Sequence, residues 1–313
     1  MPLDPQVQAM VDMAPPMPAL ETMDVESLRA SVRAASTAVP PLDVELGGIE
    51  DRQIPGPGGD LNVRVYHPVG SGPFPVLVYF HGGGWVTGDL DTQDAICRGL
   101  CHDAGCVVMS VDYRLAPENR FPAAADDAYA AVVWTGAHGG EIGGDTKRIA
   151  IGGDSAGAVL CGGLALRVRD EGGPDLLGQV LFYGSMVYEL DAPTPSMEQF
   201  KDGPWLRRED IAYFWGQYLA DVDVDKHNPL ANPVRARSHA GLPPAFIGTA
   251  ECDPTRDAAE FYGEKLRAAG TAVETHRYPG MPHGFVSMAS VLPTARQAVS
   301  DAGAWLRRIF EAA

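Results

Sequence analysis

A serine hydroxyl attacks a carbonyl only when a neighbouring base takes its proton, and that base works best when a carboxylate fixes its tautomer. Ser155 stands in Gly153-Asp154-Ser155-Ala156-Gly157. In a Gly-x-Ser-x-Gly pattern a strand ends, the chain turns sharply and a helix begins, leaving the hydroxyl at the apex. The glycines flank it because a side chain there would clash with the turn or the helix. The chain holds 36 glycines, so the pentapeptide alone is close to a chance match and its context must carry weight. That context fits, since Arg148 to Gly152 reads as a strand and Ala156 to Val168 as a helix.

A second glycine cluster, His81-Gly82-Gly83-Gly84-Trp85, follows the apolar run Pro75 to Phe80. Glycines at a strand end let backbone amides face a ligand, and acyl transfer needs such donors where negative charge develops on the substrate oxygen. The expected donors are the amides of Gly82, Gly83 and Gly84 together with Ala156, the residue after the nucleophile. A phosphate cradle would need Gly-Lys-Ser/Thr or Gly-x-Gly-x-x-Gly, and neither occurs here. His81 is expected to brace this loop rather than to act as a base.

The order serine, acid, histidine restricts the search for partners to residues beyond Ser155. Asp253 lies between the strand-like Ala245 to Ala250 and a helix opening at Thr255. Glu251 and Asp257 compete, but Asp257 has a sufficient role in the first helical turn, against the helix dipole. His283 stands in a loop of two prolines and two glycines, Tyr278 to Phe285, after the last strand-like segment. His276 falls inside a strand, and His227 and His239 lie in polar stretches.

The elements that must position these groups alternate from about residue 60. Strands are predicted over 61–67, 75–80, 106–112, 148–152, 179–183, 245–250 and 273–278, mostly short apolar runs typical of strands buried on both faces. Helices are predicted over 91–103, 123–138, 156–170, 255–269 and 293–310. This is the pattern of an α/β fold with a mainly parallel sheet flanked by helices. Two stretches break it: residues 1–48, with helical patterns at 5–14 and 25–35, and residues 188–228, with one at 208–219. The second interrupts the series between two strands, so an insertion covering one sheet end is the natural place for it.

Composition bounds the rest. The 313 residues are 45% hydrophobic and 21% charged, ample for a substantial core. A net charge of -17 argues against nucleic acid as a partner, because the phosphate interaction would be repulsive. No apolar run reaches the roughly 18 residues needed to span a bilayer, and the first residues lack a basic leader with an apolar core. A cytoplasmic location and no stable membrane insertion are therefore expected. The five cysteines are not in a metal-ligand spacing, so neither a disulfide nor a metal is expected.

Taken together, these segments resemble the bacterial hormone-sensitive-lipase-like (family IV) carboxylesterases of the α/β-hydrolase superfamily. The resemblance rests on residues 81–85, on 111–118 with 121–124, on 153–157, on Asp253-Pro254-Thr255-Arg256-Asp257, and on His283-Gly284-Phe285. It implies Ser155, Asp253 and His283 as a catalytic triad and the glycine run with Ala156 as an oxyanion hole. It also implies that residues 1–48 and 188–228 form a helical cap, leaving 49–187 and 229–313 as the two parts of the core. It further implies hydrolysis of small-molecule esters with short to medium acyl chains and no cofactor, and it leaves room for a homodimer. Thr255 departs from the pattern, where leucine is common. Aromatic residues in the cap stretch could line an apolar pocket: Tyr188, Trp205 and Phe214 are the candidates, with Trp85 and Asp154 from the core, while Phe200, Tyr213 and Trp215 are further choices between pocket and cap core. Rival readings are an amidase or carbamate hydrolase with the same three residues, and a non-catalytic small-molecule receptor on a hydrolase scaffold.

Overall fold

The computed structural model describes residues 2–14 and 18–313; Met1 and residues 15–17 of the expected N-terminal cap stretch lie outside the described residues. Among the described residues eight strands form one sheet: β1 Gly48–Gly56, β2 Gly59–His67, β3 Phe74–Phe80, β4 Val107–Val111, β5 Gly144–Asp154, β6 Leu176–Phe182, β7 Ala245–Cys252 and β8 Val273–Pro282. Their spatial order is β1-β2-β4-β3-β5-β6-β7-β8. The first hairpin and the β2/β4 pair are antiparallel, and every other pairing is parallel. The mainly parallel α/β sheet expected from the sequence is thus what forms.

Among the described residues ten α-helices accompany the sheet: α1 Pro5–Met13, α2 Val25–Thr37, α3 Asp94–Ala104, α4 Ala123–His138, α5 Ala156–Glu171, α6 Pro195–Gln199, α7 Arg208–Tyr218, α8 Val222–Asp225, α9 Arg256–Ala268 and α10 Pro293–Glu311. Parallel strands need crossovers, and these helices supply them, so both sheet faces are covered. One core cluster joins Val76, Val78, Ile149 and Ile151 to apolar residues of α4, α5 and α9. The other joins Leu77, Tyr79, Val108 and Val180 to α3 and α10. The alternation within β3 and β5 therefore feeds two cores, which is why these strands read as continuous apolar runs.

β1 was not anticipated. Its only buried residue is Ile54, and Pro55 lies near its end, as an edge strand allows. A segment with so few apolar residues carries no readable period, and pairing with β2 alone makes it a strand.

The order β4-β3-β5 matters most for function. The chain goes one way from β3 to β4 and then crosses to the other side of β3 for β5, which opens a crevice at the carboxyl ends of β3 and β5. In register, Phe80 pairs with Gly153. The residues that follow, the glycine loop at 82–84 and Ser155, are thereby brought side by side.

Two excursions border that end. Between β6 and β7 the chain carries α6, α7 and α8. At the N-terminus, α1 is tied to the β8 edge by Asp4 N–H donating to Gly280 O at 3.0 Å, with Val7 fully buried. α2 is held by Arg29, which donates to Val86 O at 2.9 Å, Ala116 O at 3.0 Å and Glu118 at 2.7 Å. Arg33 pairs with Asp89 and Asp91.

Candidate active site

Ser155 sits at the turn from β5 to α5 with φ 52° and ψ -118°, a region that only surrounding structure makes tolerable. Its amide donates to Phe182 O at 2.8 Å, which fixes the turn. A Cβ on Gly153 would come within 2.5 Å of the Gly157 carbonyl carbon, and one on Gly157 would overlap the Phe80 carbonyl. That is the local reason for the Gly-x-Ser-x-Gly spacing.

Ser155 Oγ lies 2.8 Å from His283 Nε2, and His283 Nδ1 lies 2.9 Å from Asp253 Oδ2. The carboxylate selects the Nδ1–H tautomer, leaving Nε2 free to accept the serine proton. Asp253 is fully buried, and its other oxygen accepts from the Thr255 amide at 2.8 Å and the Thr255 hydroxyl at 3.0 Å. Both acceptor atoms of the acid are therefore engaged. The competitors are occupied elsewhere: Glu251 accepts from Gly280 N, and Asp257 accepts from Ser196 N. Thr255, which departs from the resemblance, thus contributes a hydroxyl that leucine could not.

The glycine loop follows β3. Gly83 and Gly84 have φ 115° and 61°, and Trp85 follows at φ 60°. Thr87 and Val86 amides close the turn on Gly83 O at 2.9 and 3.1 Å. His81 is fully buried, stacks on Tyr113 at 4.1 Å and places Nδ1 2.7 Å from Gly82 O. Burial lowers its pKa, which suits a neutral brace. One expectation needs correction. The Gly82 amide donates to Asp154 Oδ1 at 3.0 Å, so it does not face the crevice as a free donor.

Asp154 also accepts from Tyr79 Oη at 3.0 Å. Burial pushes its pKa up to about 6, opposed by the Tyr79 and Gly82 hydrogen bonds and by His283. Its two hydrogen bonds tie the strand before the nucleophile to the loop after β3.

These groups open into a cavity of about 320 Å³ whose walls include Ser155, His283, Gly82, Gly83, Gly84 and Ala156. Trp85, Asp154, Trp205 and Phe214 line it as expected. Tyr188 does not, and this is a second correction. Its ring packs edge-on against Trp215 at 5.5 Å and lies under Lys226 at 5.6 Å, so it belongs to the interior of the excursion between β6 and β7. Trp215, left open between pocket and core, serves both. Val32 and Ser36 of α2, Leu206, Ile211, Val159 and Met288 complete the wall and were not foreseen. Of these, only Val32 and Ser36 had a readable signal, in the amphipathic pattern of α2, since an apolar face that does not meet the main core must cover something else.

A family model described as alpha/beta hydrolase fold matches residues 77–287. The carboxylesterase NlhH of Mycobacterium tuberculosis is 42% identical over 99% of this chain and 97% of its own. The carboxylic ester hydrolase LipN of the same organism is 46% identical over 85% of this chain and 71% of its own. Among solved structures, the hyperthermophilic esterase of the archaeon Pyrobaculum calidifontis superposes with a TM-score of 0.91 at 36% identity, covering 99% of both chains.

Proposed function

The chain belongs to the alpha/beta hydrolase family, and on that premise we propose that it is a serine carboxylesterase working through an acyl-enzyme on Ser155. The observation that carries this reading is the continuous hydrogen-bonded line from Ser155 Oγ through His283 to the buried Asp253. His283 Nε2 takes the proton as Ser155 Oγ attacks the ester carbonyl, and Asp253 stabilises the imidazolium that results. The amides of Gly83, Gly84 and Ala156 face the oxygen on which charge develops. Collapse of the tetrahedral intermediate breaks the bond to the alcohol oxygen, which leaves with the proton from His283. Water then repeats the sequence on the acyl-enzyme and releases the acid.

The mostly apolar cavity suits short to medium acyl chains, since about 320 Å³ holds only a small ligand. The substrate is a small neutral ester, in keeping with the relatives named as ester hydrolases. Among the described residues no helix is long and apolar enough to cross a membrane. Cys97, Cys101, Cys106 and Cys161 are free and buried, which supports a reducing, cytoplasmic setting. A homodimer stands as a further proposal, open to sedimentation analysis.

The test is turnover of p-nitrophenyl esters of increasing chain length beside matched anilides, with Ser155→Ala as control and fluorophosphonate labelling of the folded protein. Ester turnover that vanishes with Ser155, with one label per chain, is expected. Anilide turnover equal to ester turnover would shift the reading to an amidase, and absence of labelling would point to a receptor.

A further inference from the structure

The turn that carries the oxyanion donors is not held by its own loop alone. Gly84 and Trp85 are consecutive residues in the left-handed region, and for tryptophan that conformation is strained and persists only where packing enforces it. The packing comes from α7. A Cβ on Gly84 would overlap ring carbons of Phe214, with Cδ2 at 2.7 Å, so that ring lies directly against the Gly84 backbone. One turn on, Tyr218 stacks on the Trp85 indole at 4.2 Å and an interplanar angle of 7°, and Trp215 meets it at 4.6 Å. Positions 214, 215 and 218 share one helical face, so a single face of α7 grips both left-handed residues.

α7 is in turn fixed to the core at its far end. Arg120 donates to Gly216 O at 3.1 Å and to Leu219 O at 2.9 Å, capping the last carbonyls of the helix. Phe121 N–H donates to Tyr218 O at 2.8 Å. Arg120 does not line the cavity.

We propose that Phe214 and Tyr218 are positioning residues: they hold the Gly83-Gly84-Trp85 turn in its left-handed form and so aim the oxyanion amides at the carbonyl bound to Ser155. The cap helix is then part of the machinery that stabilises the transition state, besides being a wall of the pocket. This rests on the oxyanion reading given above. A turn released by the loss of its packing relaxes toward ordinary φ values and swings its amides away. That lowers transition-state binding while leaving ground-state binding of a small ester almost intact.

The experiment uses the full chain and p-nitrophenyl acetate, with an aryl trifluoromethyl ketone as the probe of tetrahedral-adduct binding. Phe214→Ala should lower kcat by about tenfold with KM changed less than about threefold, and should weaken the ketone by the same factor as kcat/KM. Phe214→Leu should recover part of the loss. Arg120→Gln, which loosens α7 without touching the cavity, should lower kcat by roughly threefold at unchanged KM. It also serves if the alanine variant does not fold. A raised KM with kcat retained in the Phe214 variants would make that side chain a pocket wall only and overturn the proposal. So would an Arg120→Gln enzyme with wild-type kcat and ketone affinity. If the parent protein neither binds the ketone nor loses turnover on Ser155→Ala, the oxyanion and nucleophile assignments themselves fail, which is a separate outcome.

Discussion

Replacing Glu189 by glutamine should stabilise the protein in a pH-dependent manner. Glu189, between β6 and α6, is 2% exposed. Thr194 Oγ1 donates to its Oε2 at 2.6 Å, and the nearby Ser185 hydroxyl adds a weaker interaction with the carboxylate. Burial raises its pKa from 4.5 to about 7; the Thr194 hydrogen bond opposes that rise, and the charges of Asp253 and Asp257 add to it. The folded state therefore holds this proton more tightly than the unfolded chain does. The stability that protonated Glu189 contributes is fully present below 4.5 and is lost as pH rises through about 7. The distance between those values corresponds to about 3 kcal/mol, at roughly 1.4 kcal/mol per pH unit. Glutamine keeps an acceptor for Thr194 and cannot ionise. Glu189→Gln should therefore melt with the parent at the acid end and about 5 °C or more above it beyond neutrality. Thermal denaturation followed by circular dichroism, from about pH 4 to about pH 8.5 at fixed ionic strength, measures the difference. A gap between variant and parent that stays constant over that range would refute the reasoning. A variant that loses ground on the alkaline side would refute it as well.

Two further outcomes follow from the site. Asp253→Asn keeps the shape but presents the wrong donor to His283 Nδ1, so kcat should fall by on the order of 10³ to 10⁴, read in steady-state kinetics with the melting temperature as a fold control. Thr255→Val removes the hydroxyl that donates to Asp253 Oδ1 at 3.0 Å but keeps the amide bond at 2.8 Å. It should cost about tenfold in kcat, with Thr255→Ser restoring most of it; a valine variant with parental kcat would show that the amide alone orients the acid.

The positions of Ser155, Asp253 and His283 could be read from the chain because each follows its own strand, and a strand followed by a glycine- or proline-marked turn is a local signal. Local signals also placed the parallel strands, whose unbroken apolar runs follow from burial on both faces, and the helices α3, α4, α5, α9 and α10 to within a few residues. β1 escaped because an edge strand with one buried residue has no period to detect.

What the chain alone settled, then, is which residue types stand at the strand ends. What tertiary structure decided is where their polar atoms point and which aromatic faces what. The Gly82 amide turns to Asp154, 72 residues away. Tyr188 packs against Trp215 while Phe214 and Trp85 reach the cavity, although all are aromatic residues beside the same crevice. The wall supplied by Val32 and Ser36, and the hydroxyl of Thr255 on Asp253, likewise depend on contacts between distant segments. Periodicity encodes which face of an element is apolar. It does not encode which other element that face will meet, because that choice is made by the packing of the whole chain.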